Sequence, residues 1–132
     1  LYAADGLGCW WNGKRTRVSE INELKQAVFL FTSWSGFRST KRLDALERFN
    51  KECFYGRGWG DAYGYHMVAT GRAEIMLDPT INIWDVAPFP PIFREAGGFM
   101  GSWDGKEGHT HGDGLAINGA LKQKVLELIR GG

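Results

Sequence analysis

Apolar residues along the chain fall into short runs of two kinds, and their alternation predicts the architecture. Residues 27–32, Ala-Val-Phe-Leu-Phe-Thr, are almost continuously apolar and partly β-branched, as expected of a strand covered on both faces. Residues 73–77 also read as a strand, and 99–103 and 114–117 as shorter ones. Between them the period lengthens. Ser39 or Thr40 caps a predicted helix whose apolar positions Leu43, Leu46 and Phe49 recur along one face. The glycines at 58 and 60 lead into a predicted helix over 61–70, ended by Gly71. Residues 84–96 read as a helix stopped by Gly97-Gly98, with Pro88, Pro90 and Pro91 demanding a late start or a kink. Leu121, Val125 and Leu128 form the stripe of a closing helix over 121–129. Ser19 opens a short helical stretch over 20–26, residues 53–57 are strand or bend, and Asn12-Gly13 marks a hairpin. Strands alternating with helices predict α/β layers.

Composition narrows the class. With 132 residues, 43% hydrophobic and 23% charged, the chain can build one packed core and is not predicted to be disordered. Sixteen Lys and Arg against fifteen Asp and Glu leave a charge of +1, which argues against nucleic acid as the main partner. No apolar run approaches the ~18 residues of a membrane span. Two cysteines are too few for a disulfide scaffold, so a reduced, cytoplasmic setting is expected. The 19 glycines are spread along the chain, as where many loops build a site. The first residue is Leu1, so the expectation is a start inside something longer, or processing.

Three segments invite chemical readings. Gly56-Arg57-Gly58-Trp59-Gly60 lacks the spacing of a phosphate-binding loop, and a flexible turn into a helix is the simpler reading. His109, His111 and Asp113 lack further ligands at metal-site spacing, which favours a polar loop, and His66 reads as a packing residue. Asp61 and Asp85 at helix starts and Asp78 at a strand end are more suggestive. Strand ends and helix starts on one edge of an α/β sheet converge on a crevice, where carboxylates bind Mg²⁺ or a cationic ligand. Three unrelated caps and turns are the competing reading.

The strings themselves add more. Trp84-Asp85-Val86-Ala87, followed by Pro91-Ile92-Phe93-Arg94-Glu95-Ala96-Gly97-Gly98, resembles the C-terminal signature of the inositol monophosphatase family, WDxA and then PIxxEAGG. The likeness runs the length of the chain. Tyr2-Ala3-Ala4, Gly6 through Gly13, and Val18-Ser19 resemble the family's central hairpin, and Ile117-Asn118-Gly119 its last strand and helix start. Gly60 through Tyr65 and Gly71 through Pro79 are most similar to the histidinol-phosphatase branch.

The resemblance implies a layered α/β/α sandwich of the sugar-phosphatase type, of which this chain is the C-terminal half. Residues 1–33 would end the central sheet region and 34–132 would form the C-terminal α/β domain. It also implies a Mg²⁺-dependent phosphomonoesterase, with in-line attack of a metal-activated water on phosphorus. Asp85 matches the metal-binding aspartate of WDxA. Gly60, Asp61 and Ala62 match the segment that meets the substrate's organic part, and Asp78 the acidic position that binds hydroxyls or amines. The family's paired glutamates and its Asp-Pro-x-Asp-Gly-Thr segment are absent from these 132 residues. No catalytic residue is therefore expected in this half, and the chain alone is expected to be inactive.

Acidic groups at Asp61 and Asp78 favour a cationic substrate, L-histidinol phosphate, over the neutral hydroxyls of inositol phosphate. Inositol-1-monophosphatase activity is the alternative, and a non-catalytic binding domain is a third reading. As a half, the chain is expected to form a homodimer or to bind the missing N-terminal half. Aromatic residues near 1–11 and 29–34 are the candidate contact face.

Overall fold

A computed structural model describes residues 1–60 and 62–131. Two sheets organise them. The smaller is an antiparallel meander of β1 (Tyr2–Ala4), β2 (Gly8–Trp11) and β3 (Lys14–Thr16). Asn12 and Gly13 turn the second hairpin with φ of 50° and 76°, the left-handed pair that an Asn-Gly turn supplies.

The larger sheet contains β4 (Val28–Phe31), β5 (Tyr55–Gly58), β6 (Ile75–Asp78), β7 (Gly98–Gly101) and β8 (Gly114–Asn118). Their order is β5-β4-β6-β8-β7. β4 runs parallel to β5 and β6, while β8 runs antiparallel to β6 and β7. The helices are α1 (Trp34–Ser39), α2 (Leu43–Glu52), α3 (Ala62–Ala69), α4 (Ile83–Val86), α5 (Phe89–Ala96) and α6 (Lys122–Arg130).

The two-residue period of the strands sorts side chains into two cores. Phe29, Phe31, Ile75, Leu77, Leu115 and Ile117 face α1, α2 and α6, packing on Phe37, Leu46, Phe49 and Val125. Leu30, Met76 and Ala116 face the other way, onto Tyr65, Val68, Val86 and Phe93 of α3, α4 and α5. The result is a helix–sheet–helix sandwich, the α/β class that the sequence pattern predicts. The small sheet is tied to α5. Gly8 N–H donates to Glu95 Oε1 at 3.0 Å, and Val18 N–H to the Ala96 carbonyl at 3.0 Å.

Several local expectations are corrected. Residues 20–26 do not form a helix; only Leu24–Gln26 make a 3₁₀ turn. Asn118 explains this, because its amide donates to Ser19 and Ile21 and holds that segment open. The capping serine is Ser33, whose Oγ accepts from Gly36 N–H at the start of α1; α2 begins later, after Arg42. Residues 84–96 are two helices, broken at Ala87-Pro88. Gly56-Arg57-Gly58 belong to edge strand β5 rather than a loose turn. Phe29, Leu30 and Phe31 lie in the core, so the expected contact face loses them; Leu1, Tyr2, Leu7 and Trp34 remain exposed.

Cys9 and Cys53 are free and buried. Among the described residues no helix is long and apolar enough to cross a membrane.

Candidate functional site

The parallel pairing of β4 and β6 sets Phe31 beside Leu77, so the next residues, Thr32 and Asp78, emerge together at one sheet edge. The antiparallel partner β8 sets Gly114 opposite Asp78. Above this edge lies a cleft of about 240 Å³ lined by Thr32, Ser33, Gly36, Ala62, Tyr65, Asp78, Thr80, Ile81, Asn82 and Asp85. Ends of strands and starts of helices build it, as in other open α/β sheets.

Asp78 is the buried charge of the cleft, only 5% exposed. Thr32 Oγ1 donates to its Oδ1 at 3.2 Å and the Tyr65 hydroxyl to its Oδ2 at 3.3 Å. Burial pushes the Asp78 carboxyl up to about 6; hydrogen bonds from Thr32, Tyr65 and the Thr80 backbone oppose that rise, and Asp85 adds to it. The Tyr65 phenol is driven well above its ordinary range, first by burial and then by the charge of Asp78.

Of the residues singled out in the sequence, Ala62, Asp78 and Asp85 share this cleft. Gly60 is exposed and does not line it, with open space where a Cβ would stand. Asp61 lies outside the described residues. Thr32, Ser33, Tyr65 and Thr80 were not anticipated. Hydroxyl residues carry no diagnostic spacing, and only the pairing of β4 with β6 makes them neighbours.

Mg²⁺ takes an octahedron of oxygen ligands. Among the described residues, no group of three or more His, Cys, Asp or Glu side chains gathers to hold a metal ion. Asp85 is an exposed carboxylate on the four-residue helix α4. The described residues therefore do not fit a resident Mg²⁺ by themselves.

Asp113 and His111 have structural partners, while His66 Nε2 is buried without a hydrogen-bond partner. Asp113 accepts from Arg42 Nη1 at 3.0 Å and from Trp103 N–H at 3.1 Å, and His111 Nε2 lies 3.1 Å from the Glu107 carbonyl oxygen. His66 packs edge-on against Trp11 and Tyr63, at 5.4 and 5.7 Å between ring centroids, and burial lowers its pKa.

The inositol monophosphatase family model matches residues 1–131. The histidinol-phosphatase of Chlorobaculum parvum is 33% identical over 134 residues, covering 100% of this chain and 52% of the relative. That of Streptomyces coelicolor is 35% identical, covering 96% of this chain and 53% of the relative. Among solved structures, the IMPase of Thermotoga maritima superposes with a TM-score of 0.84 at 30% identity, over 98% of this chain and 50% of that one. The chain thus spans about half the length of the curated relatives it matches. Matched along its length, with WDxA and EAGG in place, this chain belongs to the inositol monophosphatase family.

Proposed function

We propose that the chain is the C-terminal half of a Mg²⁺-dependent phosphomonoesterase that hydrolyses L-histidinol phosphate to L-histidinol and phosphate. One observation carries the reading: a buried carboxylate, Asp78, stands in the cleft held by two hydroxyl donors, with Asp85 lining the same cleft. A carboxylate in a site of low dielectric favours a cationic partner, and the ammonium of histidinol phosphate answers it with a charge-assisted hydrogen bond. The histidinol-phosphatases at 33% and 35% identity point the same way.

In this reading Gly60, Asp61, Ala62 and Asp78 bind the organic part of the substrate. Asp85 is the one carboxylate that the chain brings toward Mg²⁺, the metal its family membership implies. The remaining ligands and the phosphate-binding groups belong to the N-terminal half, so the chain alone releases no phosphate. A cytoplasmic setting suits the two free thiols. Inositol 1-phosphate is the second candidate substrate, favoured by the likeness to the Thermotoga maritima IMPase.

The test is to read the coding DNA upstream of the Leu1 codon, express the uninterrupted frame, and assay phosphate release with Mg²⁺. Paired glutamates and an Asp-Pro-x-Asp-Gly motif upstream, with activity that the 132-residue chain lacks, are the expected result. Metal-dependent phosphate release by the 132-residue chain itself would overturn the half-site reading. Absence of the upstream segment would leave a non-catalytic binding domain.

A further inference from the structure

Tyr65 is 1% exposed, with its ring stacked on Phe89 at 5.0 Å between centroids. Packing alone asks for no hydroxyl there. A buried hydroxyl left unpaired loses its water without replacement, so phenylalanine would serve a purely apolar position better. The phenol oxygen instead reaches Asp78 Oδ2, while Thr32 takes Oδ1. Two hydroxyls from different elements thus grip opposite oxygens of one carboxylate.

The room for that reach is built into β8. Residue 114, opposite Asp78 in the register, is glycine, and a Cβ there would collide with the Tyr65 oxygen. A carboxylate offers about four acceptor sites. Thr32 and Tyr65 engage two of them, one on each oxygen. The acceptor sites left over point in fixed directions.

We infer that Tyr65 is a positioning residue which, with Thr32, fixes the direction of the Asp78 carboxylate so that a remaining acceptor site receives an ammonium group in the cleft. Tyr65 acts through Asp78. The inference rests on the reading above that Asp78 meets the organic part of the substrate. A neutral hydroxyl donating to the ionised carboxylate gains a charge-assisted hydrogen bond, whereas an ammonium gains that bond and the attraction of opposite charges in a site of low dielectric. The grip on Asp78 therefore serves selectivity for amines over polyols.

The test uses the 132-residue chain, Tyr65→Phe and Thr32→Val, with carboxyl-carbon NMR titration of Asp78 and calorimetry against L-histidinol and myo-inositol. Tyr65→Phe keeps the stacked ring; should it fail to fold, Thr32→Val removes the donor at the other oxygen, nearer the surface. Each donor lost from the ionised carboxylate is expected to raise the Asp78 midpoint above its starting value of about 6. L-Histidinol affinity at pH 7 should fall about threefold to tenfold, as for loss of one hydrogen bond, with myo-inositol binding changed far less. An unchanged or lowered midpoint in both variants would overturn the positioning role, whatever the ligands do. If the midpoint rises but L-histidinol is bound no better than myo-inositol, the positioning of Asp78 stands and the amine-substrate reading falls.

Discussion

Glu95 Oε1 accepts the backbone N–H of Gly8 at 3.0 Å, joining the last turn of α5 to the middle strand of the small sheet. The glutamate of the EAGG string is therefore a latch between α5 and the small sheet. Gly8 has φ of +80°, and a Cβ there would stand 2.6 Å from the Arg15 guanidinium, so the latch needs glycine on its other side.

Replacing Glu95 with Ala should cost about 1–3 kcal/mol, because a part-buried N–H loses a charged acceptor. Glu95→Gln keeps an oxygen in reach and should lose less. Urea unfolding monitored by tryptophan fluorescence reads both. Equal stability of Glu95→Ala and the parent chain would show that the contact does not hold the small sheet to α5.

Gly114→Ala should be among the most damaging single-methyl additions. Its Cβ would run into the Tyr65 oxygen beneath Asp78, and the stacked, buried ring has little room to retreat. Overpacking of this kind costs typically about 1–3 kcal/mol. The double variant Gly114→Ala with Tyr65→Phe should recover much of the loss. If thermal unfolding shows the two changes to be merely additive, the steric account of this pair fails.

Asp78 gives the chain a pH dependence whose sign is fixed. Its carboxyl stands at about 6 in the folded protein against an ordinary 3.8, so folding favours the protonated form. That contribution is complete below about pH 4 and is lost as pH rises through 6. Its size is at most about 3 kcal/mol. His66, held below its ordinary value by burial, tilts stability the opposite way as pH falls through the 6.5 region. Comparison with Asp78→Asn isolates the aspartate. The difference in unfolding free energy between variant and parent should move in favour of Asn between pH 4 and 7; a flat difference would contradict the burial of an ionisable Asp78.

Gly60→Ala separates folding from binding. Open space surrounds a Cβ there, so the chain should unfold within about 0.5 kcal/mol of the parent, as for ordinary surface changes. In an enzyme carrying both halves, the same methyl group should raise KM if the Gly60 backbone meets the substrate. Loss of stability in the 132-residue chain would refute the first half of this expectation, and an unaltered KM the second.

The strands of the large sheet were legible because burial on both faces writes continuous apolar runs, as in Val28 to Phe31 and Ile75 to Leu77. α1 was not, since Trp34-Ser35-Gly36-Phe37-Arg38 has no helical period and a glycine at its centre; only the Ser33 cap announces it. Residues 20–26 misled for the opposite reason. Their composition suits a helix, but Asn118, almost a hundred residues away, claims the Ser19 and Ile21 carbonyls. At the cleft, Asp78 and Asp85 stood out as carboxylates at element ends. Thr32 and Tyr65 did not, because their meaning depends on β4 lying beside β6 and α3 crossing behind it.

The most direct test of the account is substrate discrimination in the protein carrying both halves, with and without Asp78→Asn. kcat/KM would be measured for L-histidinol phosphate and inositol 1-phosphate under Mg²⁺. The parent enzyme should prefer histidinol phosphate. Asp78→Asn should cost about 10- to 100-fold on that substrate, the worth of a charge-assisted hydrogen bond, and only a few-fold on inositol phosphate. Equal losses on the two substrates, or a parent enzyme that prefers inositol phosphate, would contradict the assignment of Asp78 to a cationic group.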